Sequence, residues 1–89
     1  MYSRETVFVN VYGLHTRPAT KFFLVARGFN SEIKIKNLDI KGDEKNAKSL
    51  IEILSLCAYK GTKVNIIAEG PDEEEAVDSL IHLINEGLE

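Results

Sequence analysis

The chain has 89 residues, with 11 basic and 14 acidic side chains giving a formal charge of −3, 44% hydrophobic residues, one cysteine and no tryptophan. That is enough for one domain, 1–89, but too short for two separate cores, and too apolar for a disordered segment. The lone Cys57 excludes an internal disulfide framework, no apolar run approaches the roughly 18–20 residues of a bilayer span, and no signal-type stretch follows Met1, so a cytoplasmic location without membrane insertion is expected.

Thr6 to Tyr12 is rich in β-branched and aromatic residues and alternates, which predicts a first strand, stopped by Gly13. His15-Thr16-Arg17-Pro18 has the character of a helix start, because proline is tolerated in the first turn, where amides lack intrahelical acceptors. Ala19, Phe22, Phe23 and Ala26 give this helix an apolar face, Leu24 and Val25 widen it, and Gly28 is the expected C-cap. Ile33 and Ile35 alternate with charged residues over 31–36, and Leu38 and Ile40 repeat the pattern. Two hairpin strands are therefore predicted, the second reaching about 43–45. Residues 47–56 predict a short helix with a wide apolar surface, in which Ile53 and Leu56 are the more buried pair. After Gly61, Val64, Ile66 and Ala68 alternate in a last strand over 63–69, which Gly70-Pro71 breaks. Asp72 and Glu75 have capping-box spacing at the start of a final helix, whose apolar face runs from Ala76 to Ile84 and which Gly87 ends.

The order βαββαβα, with a hairpin in its middle, predicts an α+β sandwich with helices on one sheet face. Lys34, Lys36, Lys63 and Asn65 fit the bare face.

His15 is the residue with the most chemical content. A helix N-terminus presents free amides and a partial positive charge, and Arg17 adds a fork of donors for phosphoryl oxygens. An imidazole needs no deep burial to be neutral and nucleophilic near pH 7. The spacing alone leaves two readings open: a phosphoryl acceptor, or a loop histidine at a helix cap. Leu50, Ile51 and Leu54 cannot all be buried by so short a helix. Beside Thr16, Arg17 and Lys21 they would form a docking patch with an apolar centre and a charged rim. From Asp72 onward there are seven acidic residues and no basic one, which leaves the upstream part net basic. That bias is too diffuse for nucleic acid and better suited to an acidic protein face. His82 reads as a surface residue of the last helix, and Cys57 as a buried or half-buried thiol. No nucleotide loop, paired catalytic carboxylates, metal-ligand spacing or G-x-S-x-G turn is present, so no cofactor or metal is expected.

Gly13-Leu14-His15-Thr16-Arg17-Pro18-Ala19 resembles the phosphorylation-site signature of HPr, the histidine-containing phosphocarrier of the bacterial phosphoenolpyruvate-dependent phosphotransferase system. The likeness extends over nearly the whole chain, through Gly28-Phe29, Lys48-Ser49-Leu50, Gly61 and Glu69-Gly70 to Asp72-Glu73-Glu74. It implies an open-faced sandwich of four antiparallel strands under three helices. It also implies phosphorylation of His15 on Nδ1 by enzyme I, stabilisation of the phosphoryl group in a cradle of Thr16 and Arg17, and transfer to enzyme IIA domains in sugar uptake. Such a phosphoprotein is consumed and regenerated, so it is a carrier with a phosphohistidine intermediate and not an independent catalyst. Ser49 matches the serine that HPr kinase modifies, although its place in the sequence reads first as a helix N-cap. A longer loop ahead of Ser49, Glu52 on the middle helix and Cys57 where the family usually has glycine are departures. The stretch Gly70 to Ala76 is similar to the nitrogen-branch paralogue NPr, which keeps a branch not coupled to sugar transport open beside the sugar branch. A regulatory interaction module is the other reading. A monomer is expected, since no self-complementary apolar face stands out.

Overall fold

Alternation along the strands decides which side of the sheet is buried. In the computed structural model, which describes residues 1–9 and 15–88, the strands are β1 (Tyr2–Val7), β2 (Glu32–Asn37), β3 (Lys45–Asn46) and β4 (Lys63–Glu69). The helices are α1 (Thr16–Arg27), α2 (Leu50–Leu54) and α3 (Glu73–Asn85). The strands form one antiparallel sheet in the order β1-β4-β2-β3. Ile33 and Ile35 of β2 and Val64, Ile66 and Ala68 of β4 point inward and are buried. The predicted bare-face residues Lys34, Lys36, Lys63 and Asn65 alternate with them.

Ala76, Val77, Leu80, Ile81 and Ile84 of α3 and Ala19, Phe22 and Ala26 of α1 close the core, with Phe8, Ile53, Leu56 and Leu88. Burying each large side chain contributes about 1.5–3 kcal/mol, which is the main source of cohesion in so small a domain. α3 packs on β1, β4 and β2, while α1 packs on α2 and α3. The α+β sandwich is as expected.

Four local expectations are corrected. First, β1 begins at Tyr2, four residues before the predicted start, and ends at Val7, leaving out the predicted Phe8 and Val9; the rest of the predicted strand, from Asn10, and Gly13 lie outside the described residues. Tyr2, Arg4 and Thr6 face α3 yet are polar, because α3 supplies polar partners. Asp78 Oδ1 accepts from Tyr2 Oη at 3.0 Å and Arg4 Nη1 at 2.9 Å, and Asn85 Oδ1 accepts from Thr6 Oγ1 at 2.8 Å.

Second, Leu38 and Ile40 are not on a strand. Asn37 Oδ1 accepts from the Asp39 amide at 2.9 Å, a side-chain turn that bends the chain away, so β3 shrinks to Lys45–Asn46. Third, α2 is shorter than 47–56. Asn46 Oδ1 accepts from the Lys48 amide and Ser49 Oγ accepts from the Glu52 amide at 3.4 Å, so the helix starts after Ser49.

Fourth, the Asp72–Glu75 capping box does not form: Asp72 occupies the N-cap position but makes no side-chain cap bond. Its carboxylate accepts instead from the Asn30 amide at 2.8 Å, the Ser31 amide at 2.9 Å and the Ser31 hydroxyl. Glu73 takes the reaching-back role, accepting from the Gly70 amide at 3.2 Å. Gly70 is required there, because a Cβ would lie 2.6 Å from both Ser31 Cα and Ser31 Oγ.

Candidate functional site

α1 forms because its apolar positions recur on one face and Pro18 sits in the first turn, where its missing amide leaves no gap in the hydrogen-bond ladder. His15 is the N-cap, extended at φ −122 and ψ −172, and its carbonyl accepts the Ala19 amide at 2.9 Å. Its imidazole does not cap its own helix. His15, Thr16 and Arg17 are all exposed, whereas Pro18 and Ala19 behind them are buried. The histidine therefore stands at the helix edge on a rigid base. The Thr16 carbonyl accepts the Thr20 hydroxyl at 2.6 Å, which tightens the same turn.

No acidic residue lies in the first turn of α1, so nothing in that turn offsets its partial positive charge, and Arg17 adds to it. An electropositive helix end carrying an accessible imidazole suits transient covalent attachment of an anionic group. Gly13 and Leu14, which precede His15 in the signature, lie outside the described residues.

α2 packs against α1, and Lys48 ties the two: its Nζ donates to the Phe29 carbonyl just beyond the end of α1 at 2.6 Å. The division of α2 agrees with the sequence. Ile53 is fully buried and Leu56 nearly so, while Ile51 is 82% exposed, Leu54 39% exposed and Leu50 half-buried. Lys21 is half-buried on α1, and Leu24, one turn further along, is 56% exposed. The structure thus places Thr16, Arg17 and Lys21 on one helix and Leu50, Ile51 and Leu54 on the helix packed against it.

Two residues at this site were given no structural role in the sequence analysis, where Glu52 stood only as a departure and Lys48 only as part of the resemblance. Glu52 Oε1 accepts from the Asn46 amide at 3.0 Å, stapling α2 to β3, and Lys48 makes the bond to Phe29. The Lys48 bond spans 19 residues and has no local signature, whereas Glu52 acts six residues back and stands at capping-box spacing from Ser49, whose Oγ accepts the Glu52 amide. Ser49 holds the N-cap position, as its place in the sequence indicated. His82 is exposed and pairs with Glu86 at 2.8 Å. The expectation for Cys57 is overturned: the thiol is exposed and its backbone is left-handed at φ 59. Asn37 Nδ2, donating to the carbonyls of Leu56 and Cys57, holds that bend in place.

A small antiparallel sheet under helices, with a histidine-headed helix N-terminus beside an apolar and basic surface, has the architecture of a small phosphotransfer protein. A family model described as the PTS HPr component phosphorylation site matches residues 2–86, and the chain belongs to the HPr family. It is 39% identical over 90 residues to the phosphocarrier protein NPr of Escherichia coli K12, covering 100% of this chain and 98% of the relative. It superimposes on HPr-C-His from Thermoanaerobacter tengcongensis with a TM-score of 0.90 at 38% identity, covering 99% and 96% of the two chains. It is also similar to Crh of Bacillus subtilis, described as a dimer with a swapped domain, at 33% identity, a TM-score of 0.74 and coverage of 98% and 97%.

Proposed function

We propose that this phosphocarrier works through His15, which accepts a phosphoryl group from a phosphorylated enzyme I and passes it to enzyme IIA domains. The observation that carries this reading is the exposed imidazole at an α1 N-terminus with Arg17 and no acid in its first turn. In the forward step the Nδ1 lone pair attacks phosphorus and a P–N bond forms. The bond from phosphorus to the donor's nitrogen breaks, and its electron pair stays with the donor. Arg17 and the first-turn amides would meet the charge on the transferring oxygens. Transfer onward is the same displacement with the acceptor's side chain as nucleophile.

Residues 1–89 act as a single domain in this reading. No helix among the described residues is long and apolar enough to cross a membrane, and the protein is read as cytoplasmic. Its solution state is read as monomer, which sedimentation equilibrium checks. Similar identities to an NPr and an HPr leave the branch to be decided by partner: labelling by the sugar-branch or by the nitrogen-branch enzyme I assigns it.

The test is incubation with phosphoenolpyruvate and enzyme I. Acid-labile phosphate on the wild type and none on His15→Ala is expected. No label on either protein, with an enzyme I shown to be active, overturns the reading in favour of a regulatory interaction module.

A further inference from the structure

Five of the nine large apolar side chains exposed among the described residues lie away from α1 and α2, at one end of the sheet: Val7, Val9, Leu38, Ile40 and Tyr59. The ladder shows that they are neighbours and not scattered. Val7 pairs with Lys63, and the Leu38 amide donates to the Lys63 carbonyl at 2.8 Å, giving an apolar–lysine–apolar row across β1, β4 and the end of β2. The next row inward on the same bare face is Glu5, Asn65 and Lys36. Ile40 and Lys41 follow on the adjoining loop, and Ile40 is 51% exposed. Tyr59 and Lys60 join from the other side, where the Phe8 carbonyl accepts the Gly61 amide and the Phe8 amide donates to Thr62. Two acids border the lysines: Glu5 in the inner row, and Asp39, whose Oδ2 accepts from the Lys63 amide at 3.0 Å.

Resting on the phosphocarrier reading, we infer that this sheet end is a second contact lobe for the acidic protein that exchanges phosphate with His15. Continuity supports it. The segment 55–62 runs directly from Leu54 on α2 to Lys63 on β4. Five residues separate Val9 from His15, so their Cα atoms lie within about 22 Å of each other. A partner seated over His15 with an interface of ordinary size, about 800 Å² per side, would meet the lobe by wrapping round this end onto the bare face.

The chemistry selects the occupant. Lysines around exposed aliphatic side chains suit an acidic surface with an apolar centre. An anionic membrane fits less well, because an extended anionic plane meets the whole chain, whose net charge is −3 and whose α3 carries a wholly acidic first turn. A protein partner's patch meets this end alone, where Lys36, Lys41, Lys60 and Lys63 outnumber Glu5 and Asp39.

Two double variants test it, Leu38→Asp with Ile40→Asp and Lys36→Glu with Lys63→Glu, read by the initial rate of enzyme I-dependent labelling against protein concentration. Both should raise the half-saturating concentration about tenfold with the maximal rate unchanged, and the lysine pair should also lose much of the wild-type salt dependence. Circular dichroism checks the fold. If either variant fails to fold, amide shifts of the wild type on adding enzyme I serve instead, and movement at Val7, Leu38 and Lys63 is expected. Wild-type kinetics in both variants, or no movement of those amides, overturns the inference while leaving the carrier reading intact. An unlabelled wild type overturns both. Binding to phosphatidylglycerol vesicles that the variants lose, with transfer unchanged, overturns it in favour of a lipid surface.

Discussion

Ser31 and Asp72 exchange hydrogen bonds in both directions. The Asp72 carboxylate accepts from the Ser31 amide and hydroxyl, and the Ser31 hydroxyl accepts from the Asp72 amide at 3.2 Å. This clasp joins the start of β2 to the start of α3 across 41 residues of sequence. Gly70 lies directly against it, with no room for a side chain. Gly70→Ala must displace the Ser31 backbone and is expected to cost about 2 kcal/mol, measured by urea unfolding. Equal midpoints for variant and wild type would show that the contact is soft.

Acid should loosen the same end of the molecule. The Ser31 hydroxyl and the Asn30 amide hold the Asp72 carboxyl below its usual range, the Gly70 amide does so for Glu73, and Arg4 followed by Tyr2 for Asp78. A carboxyl with a depressed folded-state pKa contributes stability that is complete above its unfolded value and is lost as pH falls through the folded one. Unfolding midpoints should therefore hold near neutrality and drop below about pH 4, with a shallower drop in Asp72→Asn. The same slope in wild type and variant would remove Asp72 from the account.

Ile51 and Ile53 are two residues apart and should behave oppositely. Ile53→Ala empties a fully buried position and is expected to cost about 2–5 kcal/mol. Ile51→Ala should change stability by less than about 0.5 kcal/mol while weakening partner binding. Titration calorimetry with enzyme I beside thermal unfolding separates the two effects.

Arg17 is exposed, and in the proposed mechanism it serves transfer and not the fold. Arg17→Ala should leave unfolding unchanged and slow labelling of His15 on the order of 100-fold. Arg17→Lys should recover part of that loss, since it restores the charge without the fork. Unchanged labelling in Arg17→Ala would leave the helix end alone to hold the phosphoryl group.

Cys57 combines an exposed thiol with a left-handed backbone. Cys57→Gly removes the Cβ conflict, worth roughly 1–2 kcal/mol, but frees the unfolded chain, so a net gain of about 0.5–1 kcal/mol is expected in urea. The native thiol should react stoichiometrically with Ellman's reagent before any unfolding. A thiol that reacts only after denaturant is added would contradict the exposed placement.

What could be read from the sequence followed the range of the interactions involved. The His15–Arg17–Pro18 turn and the split between Ile51 and Ile53 depend on residues within one or two helical turns, so periodicity reveals them. β1 was read too late along the chain because Tyr2 and Arg4, polar on the helix-facing side, are satisfied by Asp78, 76 and 74 residues away. Leu38 and Ile40 imitate a strand until the Asn37 side chain turns the backbone. The Cys57 bend likewise depends on Asn37, 20 residues upstream.

β1 contributes six residues to the sheet and buries none of their side chains. It pairs with β4 alone, and its side-chain bonds to Asp78 and Asn85 are exposed. In local-unfolding terms it is the cheapest to release of the three strands longer than two residues. Its amides should exchange with deuterium well before those of β4, which is paired on both sides and buries Val64, Ile66 and Ala68. The slow-exchanging kernel is then β4, β2 and α3, with one edge of the sheet breathing against it.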